Sequence, residues 1–522
     1  MLALLISASS LWAQSLTVLT DDTRLKVTLF SLLDEDMAQK DSHVSPKLPM
    51  PELLAQLTRE RDRFGEMMSL DELHQVADAL TLYVRNKGYV FHSVYLPPQE
   101  VEHGFVTLRL QKGKLGSVHV INNTSLPDRR FSAVFSDLLG DILYAPDVED
   151  RVQALKAQGG FDVFAFYSRG VEPGQARLNL KVSESRQRAL AVSLDNYGSA
   201  SSGEQRLIGQ YSEFQLTGRH DRLSLAVLHG VDGVANTYGS VAYNLPFGGL
   251  RYAWDISASN NQFEVGDRYA ALGLEGDAIN LRTGITRHMR FHPKHRSRIR
   301  FGIYEKRTSL DALGNTTVQK EQSQALNLRW SKDRQWPESG TLFNRVIEAS
   351  HGQFEVEGVP DGKFNKLNVS GFWLTRYASG RARNLVQLNV QGQASDTALP
   401  SVEGFSLTGA NGVRGFEAGG FNADSAVLAS LEWRFPSLWP GTAEQRWRLE
   451  PILLADWATG RKEGLGDSLA TKATYASAGV GLRMSWGQHV AAQLTASNAL
   501  KGDLNGTEVD SDGQVLFEIR WY

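Results

Sequence analysis

Hydrophobic residues recur with two different periods along this chain, and the helical period is confined to its first third. Between Ser69 and Gly88 the apolar residues follow helical spacing, Ser69 and Glu72 form a capping-box pattern, and the glycine ends the helix. Three strands are predicted around it, at 25–33, 90–96 and 105–110, together with a shorter helix at 51–59. The sequence therefore predicts a small α+β module with the order strand, helix, helix, strand, strand.

A second copy of this order follows directly. Apolar spacing predicts a helix at 131–138 closed by Gly140, and a second helix capped by Asp147. Strands are predicted at 115–121, 161–167 and 176–182. We expect two α+β modules, with boundaries at 22–113 and 114–184.

After residue 185 the pattern changes to alternation of apolar and polar residues, which is typical of strands with one apolar face. About 335 residues remain, and at roughly 20 residues per strand with its connection they allow about 16 antiparallel strands. A sheet of this size without helices forms a sandwich or closes. We expect 185–522 to form a transmembrane β-barrel, with Tyr243, Trp254, Trp433 and Trp439 in aromatic girdles. Ordinary sheet core is the alternative for these rings.

The N-terminal apolar run from Leu2 to Ala13 has the length of a signal peptide and is too short to span a bilayer as a helix. Cleavage is expected between Ala13 and Gln14, so 1–13 is assigned as the signal peptide. No basic residue precedes the run, which indicates a truncated start. A buried first strand or helix is the alternative.

Composition excludes several classes of function. The chain has 55 lysine and arginine residues against 58 aspartate and glutamate residues, so it lacks the basic excess of a nucleic-acid binder. It contains no cysteine, which removes thiol nucleophiles, cysteine-ligated metals and disulfides. We expect no cofactor and no nucleic-acid partner.

Candidate catalytic groups are few. His288, His292 and His295 lie in a basic stretch, and the first two would share one face of a helix. Pro293 opposes that helix, and no nearby acidic residue completes a metal site, so a basic loop or barrel rim is expected. The Asp510–Gly513 segment is predicted to be a hairpin turn rather than a calcium loop. Phosphate-loop and hydrolase motifs are absent from the sequence, so we expect neither an enzyme nor a metal site.

Four segments resemble the outer-membrane transporters of two-partner secretion, the haemolysin-activator and filamentous-haemagglutinin-transporter family. The segment 88–115 (GYVFHSVYLPPQEVEHGFVTLRLQKGKL) resembles the first polypeptide-transport-associated (POTRA) domain of that family. Two further segments, 193–198 and 243–247, are similar to its barrel signatures. In 399–416 (LPSVEGFSLTGANGVRGF), Val413, Arg414, Gly415 and Phe416 resemble the family's long-loop motif.

The resemblance implies two periplasmic POTRA domains followed by a 16-stranded outer-membrane barrel. It also implies export of a large unfolded exoprotein, haemolysin-like or adhesin-like, from the periplasm to the cell exterior without ATP. The implied partners are the N-terminal secretion domain of the exoprotein, outer-membrane lipid and the barrel-assembly machinery. A barrel-assembly insertase of the same superfamily is the alternative, although such proteins usually carry more POTRA domains. A soluble β-rich carbohydrate-binding or hydrolytic protein is a third hypothesis.

The resemblance also nominates the site residues. It places Arg414 in a loop inside the barrel and proposes Asp456 as its salt-bridge partner, a pair that would fix the loop rather than perform chemistry. A surface charge is the alternative role for Arg414. The C-terminal strand, with Phe517, Ile519, Trp521 and Tyr522, is the expected assembly signal. Phe416 replaces the commoner tyrosine, Ala458 replaces a common glycine, and the short stretch before Leu25 makes a plug helix unexpected.

Overall fold

The computed structural model describes residues 24–34, 48–292, 294–312, 316–379, 382–436, 447–466 and 469–522. The expected signal peptide at 1–13 lies outside these residues. Two compact units make up the chain. The first comprises the described residues up to His119 together with 135–148 and 165–180, and the second comprises 120–134, 149–164 and 181–522.

The first α+β module has the predicted order of elements. Its elements are β1 (Leu25–Lys26), β2 (Leu29–Asp34), α1 (Met50–Phe64), β3 (Met67–Met68), α2 (Leu70–Asn86), β4 (Ser93–Tyr95) and β5 (Phe105–Gln111). The main sheet has the order β2-β5-β4, and β2 runs parallel to β5. The capping box of α2 is present, since Ser69 Oγ accepts from the Glu72 N–H at 3.2 Å while Glu72 Oε2 accepts from the Ser69 N–H at 2.8 Å.

The strand predicted at 25–33 is two strands instead of one. At the break, the Val27 N–H donates to the Glu66 carbonyl and the Thr28 N–H to the Gly104 carbonyl, both at 2.7 Å. These bonds direct β1 onto β3 and β2 onto β5, so one apolar run serves two sheets. A sequence pattern does not show which partner each half of a strand selects.

The second α+β segment contains β6 (Lys114–Asn123), α3 (Arg129–Ser132), a 3₁₀ helix (Ala133–Leu138), α4 (Ala145–Lys156), β7 (Phe161–Arg169) and β8 (Gln175–Glu184), with sheet order β6-β8-β7. The single helix predicted at 131–138 is wrong, because the α-helix tightens into a 3₁₀ helix after Ser132. Helix α4 begins before Asp147, which therefore lies in the first turn and is not the cap. Pro146 fits this early start, since its missing N–H has no helical partner there.

The rest of the chain forms a closed antiparallel barrel. Its first strands are β9 (Arg188–Asp195), β10 (Arg206–Phe214), β11 (Arg222–Gly230), β12 (Asn236–Phe247), β13 (Tyr252–Glu264), β14 (Glu275–Arg290), β15 (His295–Ala312), β16 (Thr316–Trp336), β17 (Thr341–Val356), β18 (Val359–Ser379) and β19 (Ala382–Ser395). The short pair β20 (Phe405–Ser406) and β21 (Asn422–Ala423) precedes the remaining strands β22 (Ser425–Arg434), β23 (Trp447–Lys462), β24 (Thr471–Trp486), β25 (Val490–Leu504), β26 (Thr507–Glu508) and β27 (Gln514–Trp521).

Closure occurs where the last strand meets the first. Strand β27 pairs with β25 on one side and with β9 on the other, where Glu518 lies opposite Asp195. Within the described residues the barrel has sixteen antiparallel strands, and the two-residue β26 only extends the pairing at the end of β25. The predicted fold class and strand number are confirmed.

The two faces of the barrel wall differ in polarity. On β16, Leu326 and Leu328 point outward and are about half exposed, whereas Ser323 and Asn327 point inward and are buried. An apolar exterior and a polar interior are the arrangement of an outer-membrane barrel. Trp254 and Trp433 lie partly exposed on the same outer face, and Trp439 lies outside the described residues. Among the residues that the structure describes, no helix combines the length and hydropathy needed to cross a bilayer.

Candidate functional site

The connection between β19 and β22, residues 396–424, folds into the barrel interior. We call this segment the lumen loop. Its apolar residues Leu407, Val413 and Phe416 are buried against inward-facing side chains of the wall, including Leu428 of β22 and Tyr475 of β24. The loop is thus packed like a core element and not exposed like an ordinary surface connection.

Arg414 is bound to two carboxylates of the wall. Its Nε donates to Asp456 Oδ2 and its Nη2 to Asp456 Oδ1, each at 2.8 Å, which is the bidentate geometry of a strong arginine–carboxylate pair. Its Nη1 donates to Glu432 Oε1 at 2.5 Å, and its backbone N–H donates to Asp456 Oδ2 at 3.1 Å. Arg434 occupies the second oxygen of Glu432 at 2.6 Å. Two cations and two carboxylates therefore form one network on the inner face of β22 and β23.

Burial makes this network sensitive to the loss of any member. Arg414 is 8% exposed, Asp456 4% and Glu432 7%. Removing one partner of a buried ion pair typically costs about 3–5 kcal/mol, because the remaining charge stays desolvated without compensation. The arrangement holds the loop in one position.

The backbone carbonyls of the Arg414 segment are hydrogen-bonded to the barrel side chains as well. Ser497 Oγ donates to the Arg414 carbonyl at 2.8 Å, and Ser511 Oγ donates to the Gly415 carbonyl at 2.7 Å. A Cβ atom at Gly415 would lie 2.7 Å from the Ser477 Cβ, so only glycine permits this close approach to β24. The ring of Phe416 meets Tyr475 edge to face, with 4.8 Å between centroids.

A second ionic anchor holds the beginning of the lumen loop. Glu403 has a fully buried side chain that is paired with Lys306 at 3.1 Å and with Lys366. Its carboxylate also accepts from Ser323 Oγ at 3.0 Å and from the Tyr304 hydroxyl at 3.2 Å. These partners lie on β15, β16 and β18. The lumen loop connects β19 and β22. It is therefore anchored both to strands that precede β19 and to β22 and β23.

The sequence analysis nominated the Arg414–Asp456 pair, whereas it missed the anchor at Glu403. Glu403 lies inside the 399–416 run that resembles the family motif, so that run contained the signal. Glu432 is the one acidic residue of β22, an otherwise apolar strand apart from its serines and terminal arginine. Ser511 lies in the segment predicted to be a hairpin turn, where its contact with Gly415 could not be inferred.

The other nominated residues lie elsewhere in the barrel. Phe517, Ile519 and Trp521 alternate along β27 on the face of the exposed Val515, and the Tyr522 N–H donates to the His489 carbonyl at 2.9 Å. His288 lies near the end of β14 and His295 at the start of β15, so this segment is a strand end and not a helix; Pro293 lies outside the described residues. In the described part of the chain, no group of three or more His, Cys, Asp or Glu side chains is placed to hold a metal.

A double-mutant cycle tests the coupling of Arg414 and Asp456. Arg414→Met is expected to destabilise the barrel with its lumen loop docked by about 3–5 kcal/mol, because the substitution leaves Asp456 as a buried carboxylate without its arginine. Arg414→Met/Asp456→Leu should recover part of that loss, because the buried charge is then removed. The temperature at which the folded form converts to the unfolded form on a detergent gel measures each variant. Losses that simply add in the double variant would contradict direct coupling.

Glu403→Gln tests the second anchor. It leaves Lys306 and Lys366 without their carboxylate, so the first arm of the lumen loop should detach and the single-channel conductance in a planar bilayer should rise. Glu357→Gln, at an exposed turn residue between β17 and β18, is the matched control and should conduct like the wild type. Unchanged conductance in Glu403→Gln would show that this anchor does not hold the loop.

Family comparison agrees with this architecture. Residues 174–484, more than half of the chain, match the family model described as "Haemolysin secretion/activation protein ShlB/FhaC/HecB". Residues 54–113 match the model of the "POTRA domain, ShlB-type". The first α+β module is therefore a POTRA domain.

Curated relatives are similar over most of the chain. The "Heme/hemopexin transporter protein HuxB" of Haemophilus influenzae (strain 86-028NP) is 23% identical over 462 residues, covering 85% of this chain and 80% of that protein. The "Outer membrane transporter CdiB" of Dickeya dadantii (strain 3937) is 23% identical over 365 residues, covering 67% of this chain and 63% of that protein. Both names describe transporters.

Solved structures show the same fold. CdiB from Escherichia coli superposes with a TM-score of 0.74 at 18% identity, covering 97% of this chain and 92% of that chain. BamA from Haemophilus ducreyi, lacking POTRA domains 1–3, gives a TM-score of 0.52 at 14% identity, covering 95% of this chain and 100% of that chain. The family-model match over more than half of the chain, together with the fold, leads to one conclusion: the chain belongs to the haemolysin secretion/activation protein family of two-partner secretion transporters.

Proposed function

We propose that this protein exports one large exoprotein through its barrel and that docking of the lumen loop by Arg414 is required for export. The protein is an outer-membrane transporter whose POTRA region lies in the periplasm. The buried Arg414–Asp456 pair carries the proposal, because it fixes a loop inside the space that an exported chain would cross. The exoprotein would pass in an unfolded state, since the lumen loop occupies part of the interior that the exoprotein must cross.

The POTRA region would capture the exoprotein before export. In the first module, β2 and β4 are the edge strands of the sheet, and Leu29 and Leu33 of β2 are about half exposed. An extended segment can add to such an edge through backbone hydrogen bonds, with its side chains contacting the apolar residues. We propose the N-terminal secretion domain of the exoprotein as the source of this segment. We also propose that 114–184 is a second POTRA domain, since it repeats the α+β order of the first.

Transport by this route needs no catalytic step. Two features support a passive pore: the sequence lacks phosphate-loop motifs, and the buried charges that anchor the lumen loop are paired, Arg414 with Asp456 and Glu403 with Lys366. Folding of the exoprotein outside the cell would supply the driving force. Insertion of the barrel itself would depend on the barrel-assembly machinery, with the β27 residues as its signal.

Secretion of the partner tests this function. The transporter is co-expressed in a Gram-negative host with the exoprotein encoded beside it, and the exoprotein in the medium is quantified. Arg414→Ala should release several-fold less exoprotein than the wild type at equal barrel abundance, because its loop is no longer fastened. Arg307→Ala removes an exposed arginine that is ion-paired with Glu305 and should secrete like the wild type.

Two outcomes would contradict the proposal. Normal secretion by Arg414→Ala would show that loop docking is dispensable. Retention of the exoprotein in the periplasm by an inserted wild-type barrel, with reduced insertion of other outer-membrane proteins in cells lacking the transporter, would favour the insertase alternative.

A further inference from the structure

A patch of basic side chains lies on the outer face of the barrel, at one end of four adjacent strands. We call it the basic rim patch; its members are Arg287, Arg290, His295, Lys332, Arg334 and Arg345, from β14 to β17. Cross-strand register brings them together, since Arg334 lies opposite His295 and Lys332 lies opposite Arg345. Arg290 Nη1 lies 3.2 Å from His295 Nε2.

The patch faces the membrane and not the lumen. Arg287 lies between Ile285 and Met289 on the half-exposed outer face of β14. The next rows of this face are apolar, with Ile299, Trp330 and Ile347 in register, and then Phe301 and Leu328. The basic groups therefore lie directly at the boundary of the apolar band, where the headgroups of a bilayer begin.

Among the residues that the structure describes, the basic groups of the patch have no acidic partners. Throughout the described residues, no carboxylate lies within ion-pair distance of Lys332, Arg334 or Arg345, and the same holds for Arg287 and Arg290. Arg188 of β9, a basic residue of the outer face outside the patch, is by contrast ion-paired with Glu213 at 3.1 Å. The positive charge of the patch is thus left available to a ligand.

Aromatic rings orient two of the guanidinium groups. The Arg334 guanidinium lies over the Trp336 ring at 4.6 Å, and that of Arg345 lies over the Trp330 ring at 5.2 Å. Stacking occupies the face of a guanidinium and leaves its N–H edge available for hydrogen bonding. Such an edge matches the two non-bridging oxygens of a phosphodiester.

Strand direction assigns the patch to one side of the membrane. The chain enters β9 from the POTRA region, which is periplasmic, and successive strands alternate in direction. Strand β14 therefore ends, and β15 begins, at the periplasmic end of the barrel. The patch lies at the level of the periplasmic leaflet, which is built from phospholipids.

We propose that the basic rim patch is a binding site for an anionic phospholipid, phosphatidylglycerol or cardiolipin, in the periplasmic leaflet. The phosphodiester lies against Lys332, Arg334 and Arg345, and the acyl chains follow the apolar rows above them. A zwitterionic lipid brings its own ammonium group, so the uncompensated positive charge of the patch selects against it. Lipid binding here requires only the membrane location of the barrel, so its failure would leave the export function intact.

The test measures which lipid stays bound. The full-length protein is reconstituted in vesicles of phosphatidylethanolamine and phosphatidylglycerol, extracted in mild detergent, and its retained lipid is quantified by native mass spectrometry. Wild type should retain phosphatidylglycerol enriched several-fold over its share of the vesicle. Lys332→Gln/Arg334→Gln/Arg345→Gln should lose that enrichment. The matched control Arg188→Gln/Glu213→Gln, also on the outer face, should keep it.

Folding of each variant is checked by its heat-dependent gel mobility. If the triple variant does not fold, Arg334→Gln/Arg345→Gln, which keeps Lys332, is measured in its place and should reduce the enrichment at least twofold. Wild-type retention that matches the bulk lipid mixture would overturn the proposal. Enrichment that survives in the folded triple or double variant would overturn it as well.

Discussion

The pairing of Arg414 with Asp456 is the interaction on which the interior of this barrel depends. An arginine that is 8% exposed inside a barrel wall needs compensation for its lost hydration, and the bidentate contact at 2.8 Å supplies it. Because Glu432 and Arg434 extend the contact into a network, the charges fix not only one side chain but the path of the loop that carries it. The close approach of Gly415 to the wall follows from that fixed path.

The closed sheet explains why a loop in this position matters. Sixteen strands satisfy their backbone hydrogen bonds only by closing, and closure leaves a polar interior that must be filled or remain open to water. The lumen loop occupies this interior and is held at two places, by Arg414 on β22 and β23 and by Glu403 on β15, β16 and β18. A transporter can release such a loop by breaking a few polar contacts, without unfolding the apolar outer face that holds it in the membrane.

Local sequence patterns predicted the helices and strands better than they predicted which strands pair and which side chains form ion pairs. The capping box at Ser69 and the alternation after residue 185 are local signals, so the helix α2 and the β-sheet character of the later chain followed from them, while the strand number followed from the remaining chain length. The split of the first strand depends on partners distant in sequence and was not predicted. The 3₁₀ helix at Ala133–Leu138 was not predicted either. Asp456 was nominated by resemblance to a family and not by spacing. Glu403 was missed because no sequence pattern shows which wall a loop will meet.

Thiol labelling of a buried loop residue would test most directly whether the ion pair holds the loop. The chain contains no cysteine, so Val413→Cys, at a fully buried position beside Arg414, would be the single reporter. A membrane-impermeant maleimide should leave it unmodified in an otherwise wild-type barrel and modify it rapidly when Asp456→Ala is added. Asn411→Cys, at an exposed loop position, should react equally in both backgrounds. Equal protection of Val413→Cys with and without Asp456 would contradict the account, because the loop would then stay docked without its ion pair.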